Sequence, residues 1–278
     1  MEKRGRICVM GSAIAVGPLL IAVDRGLAVL CIVSFLALAA FAERRGVARV
    51  SAVATSAVVA GLLAARIGYV ALRWSNYRDD PWSALAIWQG GFSPVAGIVG
   101  AAIMLAVRLG LTRALVPAFG ALAVPSLMWI ALEAWMPPVH YGPFPYHTKL
   151  AAIDGASVDL QKLRGRPFVV NLWATWCGPC RRELPMIVGS ANLNHSVPIL
   201  LANQGEDAAV VAAFMAREKL AESSVALDRD RSLSRAFAVA GYPATAFVAA
   251  DGTIVQLQLG ELSRAALADG IDIARKHR

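Results

Sequence analysis

"FVVNLWATWCGPCRRELP" (168–185) sets an apolar, strand-like run against two cysteines two residues apart and a basic, helix-like continuation. The order strand, tight turn, Cys177-Gly178-Pro179-Cys180, helix places Cys177 where unpaired backbone N–H groups and the helix dipole favour negative charge. A thiolate forms readily there: Cys-x-x-Cys sites at helix starts lower the nucleophile pKa from about 8.5 to about 3.5–7.5. The two-residue spacing lets Cys180 reach back to Cys177 within one turn and resolve a mixed disulfide. A zinc site would need two more ligands, yet His140, His147, His195 and His277 are scattered and there is no second Cys-x-x-Cys. A purely structural staple gains little from so short a ring, because it crosslinks almost no chain. The pair reads as a working dithiol that needs no metal and no cofactor.

Outward from this stretch, strand-like and helix-like runs alternate. "RPFVVNLWA" (166–174) leads into a helix from Cys177 to about Ala191, followed by "VPILLAN" (197–203) and helix-like "DAAVVAAFMAREKL" (207–220). A short strand near Val225, "RSLSRAF" (231–237), "ATAFVAADGTIVQLQLG" (244–260) and a final helix to about Lys276 complete the pattern. Asp251-Gly252 between two alternating apolar runs signals a hairpin. The pattern predicts a compact α/β domain over 148–278.

Toward the amino terminus the composition changes near residue 137. The 278 residues are 57% hydrophobic with a formal charge of +8, and the mean hydropathy of +0.56 is far above that of a soluble domain. Residues 1–147 hold 12 Lys/Arg and 6 Asp/Glu, against 15 and 13 in residues 148–278. The surplus basicity therefore lies among apolar segments, where it sets membrane orientation, and nucleic acid is discounted as a partner.

Five apolar stretches, Ile7 to Val23, Leu27 to Ala42, Val50 to Leu72, Phe92 to Val107 and Ala114 to Trp135, predict a membrane domain of about five helices over 1–135. A signal peptide in place of the first lacks a small-residue cleavage site near Ala15. Lys3, Arg4, Arg6, Arg44, Arg45, Arg49, Arg108 and Arg113 flank one side, against Arg25, Arg73 and Arg78 on the other. This predicts an inner amino terminus and an outer carboxy-terminal half. Tyr69, Trp74, Tyr77, Trp82, Trp88, Trp129, Trp135 and Tyr141 fall on or near the outer face. "MPPVHYGPFPYHT" (136–148) excludes a continued helix and predicts a stiff, extended linker over 136–147.

Two family resemblances are legible. Trp173, Trp176, Cys177, Gly178, Pro179, Cys180, Glu183 and Pro185 resemble the thioredoxin superfamily, and within it the TlpA-like membrane-tethered thiol-disulfide reductases. "GYPATAF" (241–247) is similar to the loop carrying that superfamily's cis-proline, which maps to Pro243. The resemblance implies a substrate-binding surface of Trp176, Gly178, Pro179, Tyr242 and Pro243, with Tyr242 backbone groups free to pair an extended client. Asn171 stands where thioredoxin itself carries a buried aspartate, so the proton of Cys180 needs another acceptor. Glu183, three residues on and on the same helical face, is the candidate, as TlpA-like reductases carry a glutamate there. Its plain alternative is a first-turn acid favouring the helix dipole.

In the amino-terminal half, "ARIGYV" (65–70) and "WQGGFSPVAGIVG" (88–100) resemble the bacterial prolipoprotein diacylglyceryl transferases. The histidine important to that family's reaction falls at Val95, which cannot exchange a proton. Arg66, Tyr69, Gly90, Gly91 and Ser93 survive, and Glu133 alone aligns in the later signature. Arg66 reads equally as a headgroup-snorkelling arginine or a lipid-headgroup site.

The expected architecture is thus multi-domain: an all-α polytopic membrane domain followed by an α/β thioredoxin-like domain. The expected activity is reduction of client protein disulfides in the periplasm from the bacterial inner membrane. A separate membrane thiol reductase is expected to supply electrons, because Cys8 and Cys31 on one spanning helix pair would lie on the order of 20 Å apart, beyond disulfide reach of about 7 Å. The alternatives are a periplasmic dithiol oxidase of the same fold, a diacylglyceryl transferase with an attached redox domain, and a membrane scaffold that holds partners.

Overall fold

The structure, a computed structural model, describes residues 8–10, 13–16, 19–47, 49–78, 81–135, 141–193, 196–239 and 241–277. The chain divides into two compact units, one over Ile21–Pro138 and one containing Val139–Arg278.

Three short strands come first: β1 (Cys8–Met10), β2 (Ala13–Val16) and β3 (Leu19–Ala22), with β1 and β2 antiparallel. Where the structure describes this stretch ahead of α1, at residues 8–10, 13–16 and 19–22, it is strand, which corrects the helix expected from Ile7 to Val23. Gly11, Gly17 and Pro18 cut this stretch into pieces shorter than a helical nucleus, and β-branched Ile14 and Val16 suit a strand. The other four apolar stretches become helices: α1 (Val23–Arg44), α2 (Val50–Leu72), then, after the four-residue α3 (Trp74–Tyr77), α4 (Pro94–Leu109) and α5 (Leu115–Trp135). Gly26–Arg44, Val50–Leu72 and Leu115–Leu132 are long and apolar enough to cross a bilayer, and α4, at 16 residues, is shorter. α2 and α4 pack through small residues: a Cβ on Gly100 would sit 2.4 Å from that of Ala64, so the bare backbone is what permits the approach. Phe35, Ala54, Ala57, Leu105 and Ala118 form the unit's buried centre.

The second unit is a seven-stranded mixed sheet. Its strands are β4 (Leu150–Ala151), β5 (Ser157–Val158), β6 (Phe168–Trp173), β7 (Ile199–Gln204), β8 (Val225–Asp228), β9 (Ala244–Val248) and β10 (Ile254–Leu259). Their order is β10-β9-β6-β7-β8-β4-β5, with β6, β7 and β8 parallel and β9 antiparallel to both β6 and β10. Helices α6 (Gly178–Leu193), α7 (Ala208–Arg217), α8 (Ser232–Ala236) and α9 (Arg264–Lys276) complete the unit.

The central strand is buried on both faces, which is why it reads as a continuous apolar run. Val169 and Trp173 join the core built with Leu184, Ile187, Phe214 and Leu267. Phe168, Val170 and Leu172 point to the opposite core with Leu233, Phe237, Phe144 and Tyr146. That last pair corrects the linker. From Tyr141 onward the proline-rich stretch belongs to the sheet unit: the Phe144 N–H donates to the Gly252 carbonyl at 2.8 Å, and its ring meets Phe168 edge-on at 4.9 Å. Proline spacing dictated extended backbone, but two buried aromatic rings decided where that backbone goes. Residues 136–140 lie outside the described residues.

Candidate functional site

Sheet direction gathers the site at one end. β6 runs antiparallel to β9 with Leu172 opposite Ala244, so the loop leaving β6 at Trp173 and the loop entering β9 from Pro243 emerge side by side. The Tyr242–Pro243 peptide is cis. β7 lies on the other flank with Asn203 opposite Trp173.

Cys177 immediately precedes α6 and is disulfide-bonded to Cys180, with Cα atoms 5.2 Å apart. The Cys180 backbone N–H donates to Cys177 Sγ at 3.2 Å, which is the helix-start stabilisation a thiolate there would use. Both cysteines are buried, Cys177 at 4% exposure and Cys180 at 0%, whereas the adjoining Trp176 is 64% exposed. Gly178 and Pro179 occupy the first turn of α6, where the missing proline N–H costs no helical hydrogen bond. The Trp176 ring lies 5.9 Å from that of Tyr242, so the two faces flank the turn together.

Glu183 sits on α6 one turn beyond Cys180 and is 1% exposed. Its Oε1 accepts from Asn171 Nδ2 at 2.8 Å, and its Oε2 accepts from the Leu262 backbone N–H at 2.6 Å. Burial raises its pKa from the ordinary 4.5 to about 7; the two hydrogen bonds oppose that rise and the neighbouring Glu261 carboxylate adds to it. Glu261 is itself tied to Arg182 at 2.6 Å. A first-turn acid serving only the helix dipole would be solvated, so burial separates Glu183 from that bland role.

Sequence reasoning missed the residues that hold the turn. Glu206 accepts from the Thr175 backbone N–H at 2.7 Å and from its hydroxyl at 2.5 Å, and Asn203 Nδ2 orients the same carboxylate at 2.7 Å. No local signal marks this clamp, since Thr175 and Glu206 are 31 positions apart. Gln204, Ser234 and Tyr242 are likewise joined by hydrogen bonds across three elements.

The motif of the helical unit builds something different. Arg66 is buried at 8% exposure, and its guanidinium donates to the carbonyls of Ala84 (2.8 Å), Gly90 (2.6 Å), Gly91 (2.9 Å) and Ser83 (3.3 Å). It is turned inward and does not snorkel. Gly91 has φ +78°, and a Cβ there would meet the Tyr69 ring at 2.5 Å. Ser93 caps α4 by accepting from the Ala96 N–H, while Val95 is 72% exposed. The Glu133 and Cys8 side chains lie outside the described residues; Cys31 is a free thiol whose Sγ is 3.4 Å from the Pro125 carbonyl.

Comparison with known proteins divides the chain at the same place. The Redoxin family model matches residues 136–271, and the prolipoprotein diacylglyceryl transferase model matches residues 18–131. The thiol-disulfide oxidoreductase ResA of Bacillus subtilis strain 168 is 27% identical over 124 residues, covering 44% of this chain and 69% of that protein. Its namesake from Geobacillus kaustophilus is 29% identical over 117 residues, covering 41% and 67%. Among solved structures, a thioredoxin-family thiol:disulfide interchange protein from Chlorobium tepidum superposes with TM-score 0.42 at 24% identity, covering 48% of this chain and 97% of that one.

Proposed function

We propose, from the premise that this chain joins a Redoxin domain to a segment of the prolipoprotein diacylglyceryl transferase family, that it is a membrane-anchored thiol-disulfide oxidoreductase working as a reductase of client protein disulfides. The observation that carries the reading is the Cys177–Cys180 pair at the start of α6, with the buried Glu183 carboxyl one turn away.

The chemistry balances within the chain. The Cys177 thiolate attacks a client disulfide, forms a mixed disulfide and releases one client thiolate. Cys180 then loses its proton to the Glu183 carboxylate, and its sulfur attacks Cys177 Sγ. The second client thiolate leaves, and the protein keeps the disulfide. Glu183 is suited to the transfer because its pKa of about 7 lets it both take and return a proton near neutrality. Trp176, Gly178, Pro179, Tyr242 and Pro243 form the client-facing surface, and a membrane thiol reductase restores the dithiol.

The helical unit serves as an anchor that retains the transferase scaffold without its chemistry. With β1, β2 and β3 where a first spanning helix was expected, Lys3, Arg4 and Arg6 no longer argue for an inner amino terminus. Orientation then rests on the connections between helices, where Arg45, Arg49 and Arg113 with the terminal Arg44 and Arg108 oppose Arg73 and Arg78. The first group faces the cytoplasm by the positive-inside rule, which puts the carboxy-terminal domain in the periplasm. Disulfide-bonded clients belong to that oxidising compartment.

Capture tests the reading: full-length Cys180→Ser in membranes should accumulate mixed disulfides through Cys177 with periplasmic proteins. Absence of such adducts, or their formation with cytoplasmic proteins alone, contradicts it. Equilibration with glutathione separates reductase from oxidase, since related dithiols span about −270 to −120 mV.

A further inference from the structure

Three residues from separate elements converge behind the client-facing surface. Gln204 ends β7 and is fully buried, Ser234 lies on the inner side of α8 at 5% exposure, and Tyr242 precedes the cis proline. Ser234 Oγ is 2.6 Å from Gln204 Oε1 and 2.9 Å from the Tyr242 hydroxyl, while Gln204 Nε2 donates to the Ala202 carbonyl at 3.1 Å.

These contacts have one consistent direction. The Ala202 carbonyl can only accept, which assigns Nε2 to it and leaves Oε1 facing Ser234. A serine has a single hydroxyl proton, and Oε1 takes it. The Tyr242 hydroxyl must therefore donate to Ser234 Oγ. Its only proton is used inside the fold, so no donor remains to greet a client. Chains of buried hydrogen bonds reinforce one another, and a ring tethered by its hydroxyl cannot swing about its side-chain torsions. What Tyr242 presents is a fixed aromatic face, set 5.9 Å from the exposed ring of Trp176.

We propose that the Gln204–Ser234 thread is a positioning device that holds Tyr242 against Trp176 as a rigid aromatic wall, making Tyr242 a specificity-determining residue for disulfides flanked by apolar or aromatic side chains. This rests on the reductase reading of the same site. The wall offers two π faces and no hydrogen-bond donor from Tyr242, so it favours a flat or apolar neighbour of the client cysteine over a hydrophilic one. Ser234 acts only through Tyr242 and touches no client.

The test uses the reduced full-length protein in detergent micelles and two symmetrical peptide disulfides that differ by phenylalanine or glycine after the cysteine. Each turnover converts one peptide disulfide to two thiols and the protein dithiol to its disulfide. Rate and half-saturation are read under single-turnover conditions. Wild type should prefer the phenylalanine peptide about tenfold, chiefly through half-saturation, as an apolar contact of this size allows. Ser234→Ala should cut the preference to about threefold or less while its rate on the glycine peptide stays within about twofold of wild type. Tyr242→Phe, which keeps the ring and the packing, should lose the preference to the same extent. A wild-type preference below twofold, or an unchanged preference in both variants, overturns the proposal. If wild type reduces neither peptide, the reductase reading itself has failed; if it reduces both equally through Cys177, only the aromatic wall has.

Discussion

Both units of this chain bury an ionisable side chain, Glu183 among hydrogen-bond donors and Arg66 among backbone carbonyls, and they use it to opposite ends. Glu183 receives only two hydrogen bonds, from Asn171 and from Leu262, and burial outweighs them, so its proton is exchangeable near neutrality. The Arg66 guanidinium donates to the carbonyls of Ser83, Ala84, Ala86, Gly90 and Gly91, so its N–H groups are spent on holding backbone. The lesson is that a buried ionisable group supports chemistry when its partners leave charge or proton in balance, and supports folding when they consume it. Identical burial would rank the two residues alike. Their bonding separates them.

Four substitutions sharpen or break this contrast, in descending effect on disulfide exchange. Cys177→Ser should abolish insulin reduction by the full-length protein, a fall of at least about a thousandfold, because the Cys177 sulfur is the one that immediately precedes α6 and accepts the Cys180 backbone N–H. Glu183→Gln should slow resolution of the mixed disulfide by about a hundredfold and flatten a pH profile that in wild type rises through about 7. The same variant carries a stability signature. The folded protein holds the Glu183 proton more tightly than the unfolded chain does, so the Glu183 contribution to stability is fully present below the ordinary 4.5 and is lost as pH rises through about 7. Chemical denaturation of Glu183→Gln at pH 5 and pH 8 should lack that decline, worth roughly 3 kcal/mol.

Glu206→Ala should reduce the alkylation rate of Cys177 by about tenfold, since the clamp on Thr175 fixes the turn that delivers the sulfur. Arg66→Met should leave peptide reduction within twofold of wild type. It should nonetheless destabilise the helical unit by at least about 3 kcal/mol, read by thiol-dye unfolding in detergent through Cys31, because the backbone carbonyls of Ser83, Ala84, Ala86, Gly90 and Gly91 lose the hydrogen bonds of the Arg66 guanidinium. A redox defect in that variant would mean that the helical unit takes part in the chemistry.

The sequence made the strand-turn-helix around Cys177, the hairpin at Asp251-Gly252 and four of the apolar helices legible, because each depends on local period or turn chemistry. β4 and β5 are two residues long and carry no period to read. The stretch from 8 to 22 misled by composition: apolar content alone did not weigh Gly17-Pro18 against helix formation. In the site, Cys180 and Glu183 share α6 and Cys177 immediately precedes it, so all three are visible through spacing. Glu206 meets Thr175 across 31 positions and Gln204 meets Ser234 across 30, so no pattern in the chain announces these pairs. Asn171 was visible as a residue that cannot ionise, while its work of orienting Glu183 emerged only with the fold.

The start of α6 should make Cys177 a thiolate nucleophile at neutral pH. Iodoacetamide alkylation of reduced full-length protein, followed at Cys177 by mass spectrometry across pH 4–10, measures it directly. The half-point should lie at least about one unit below the 8.5 of free cysteine. A half-point at or above that value contradicts it.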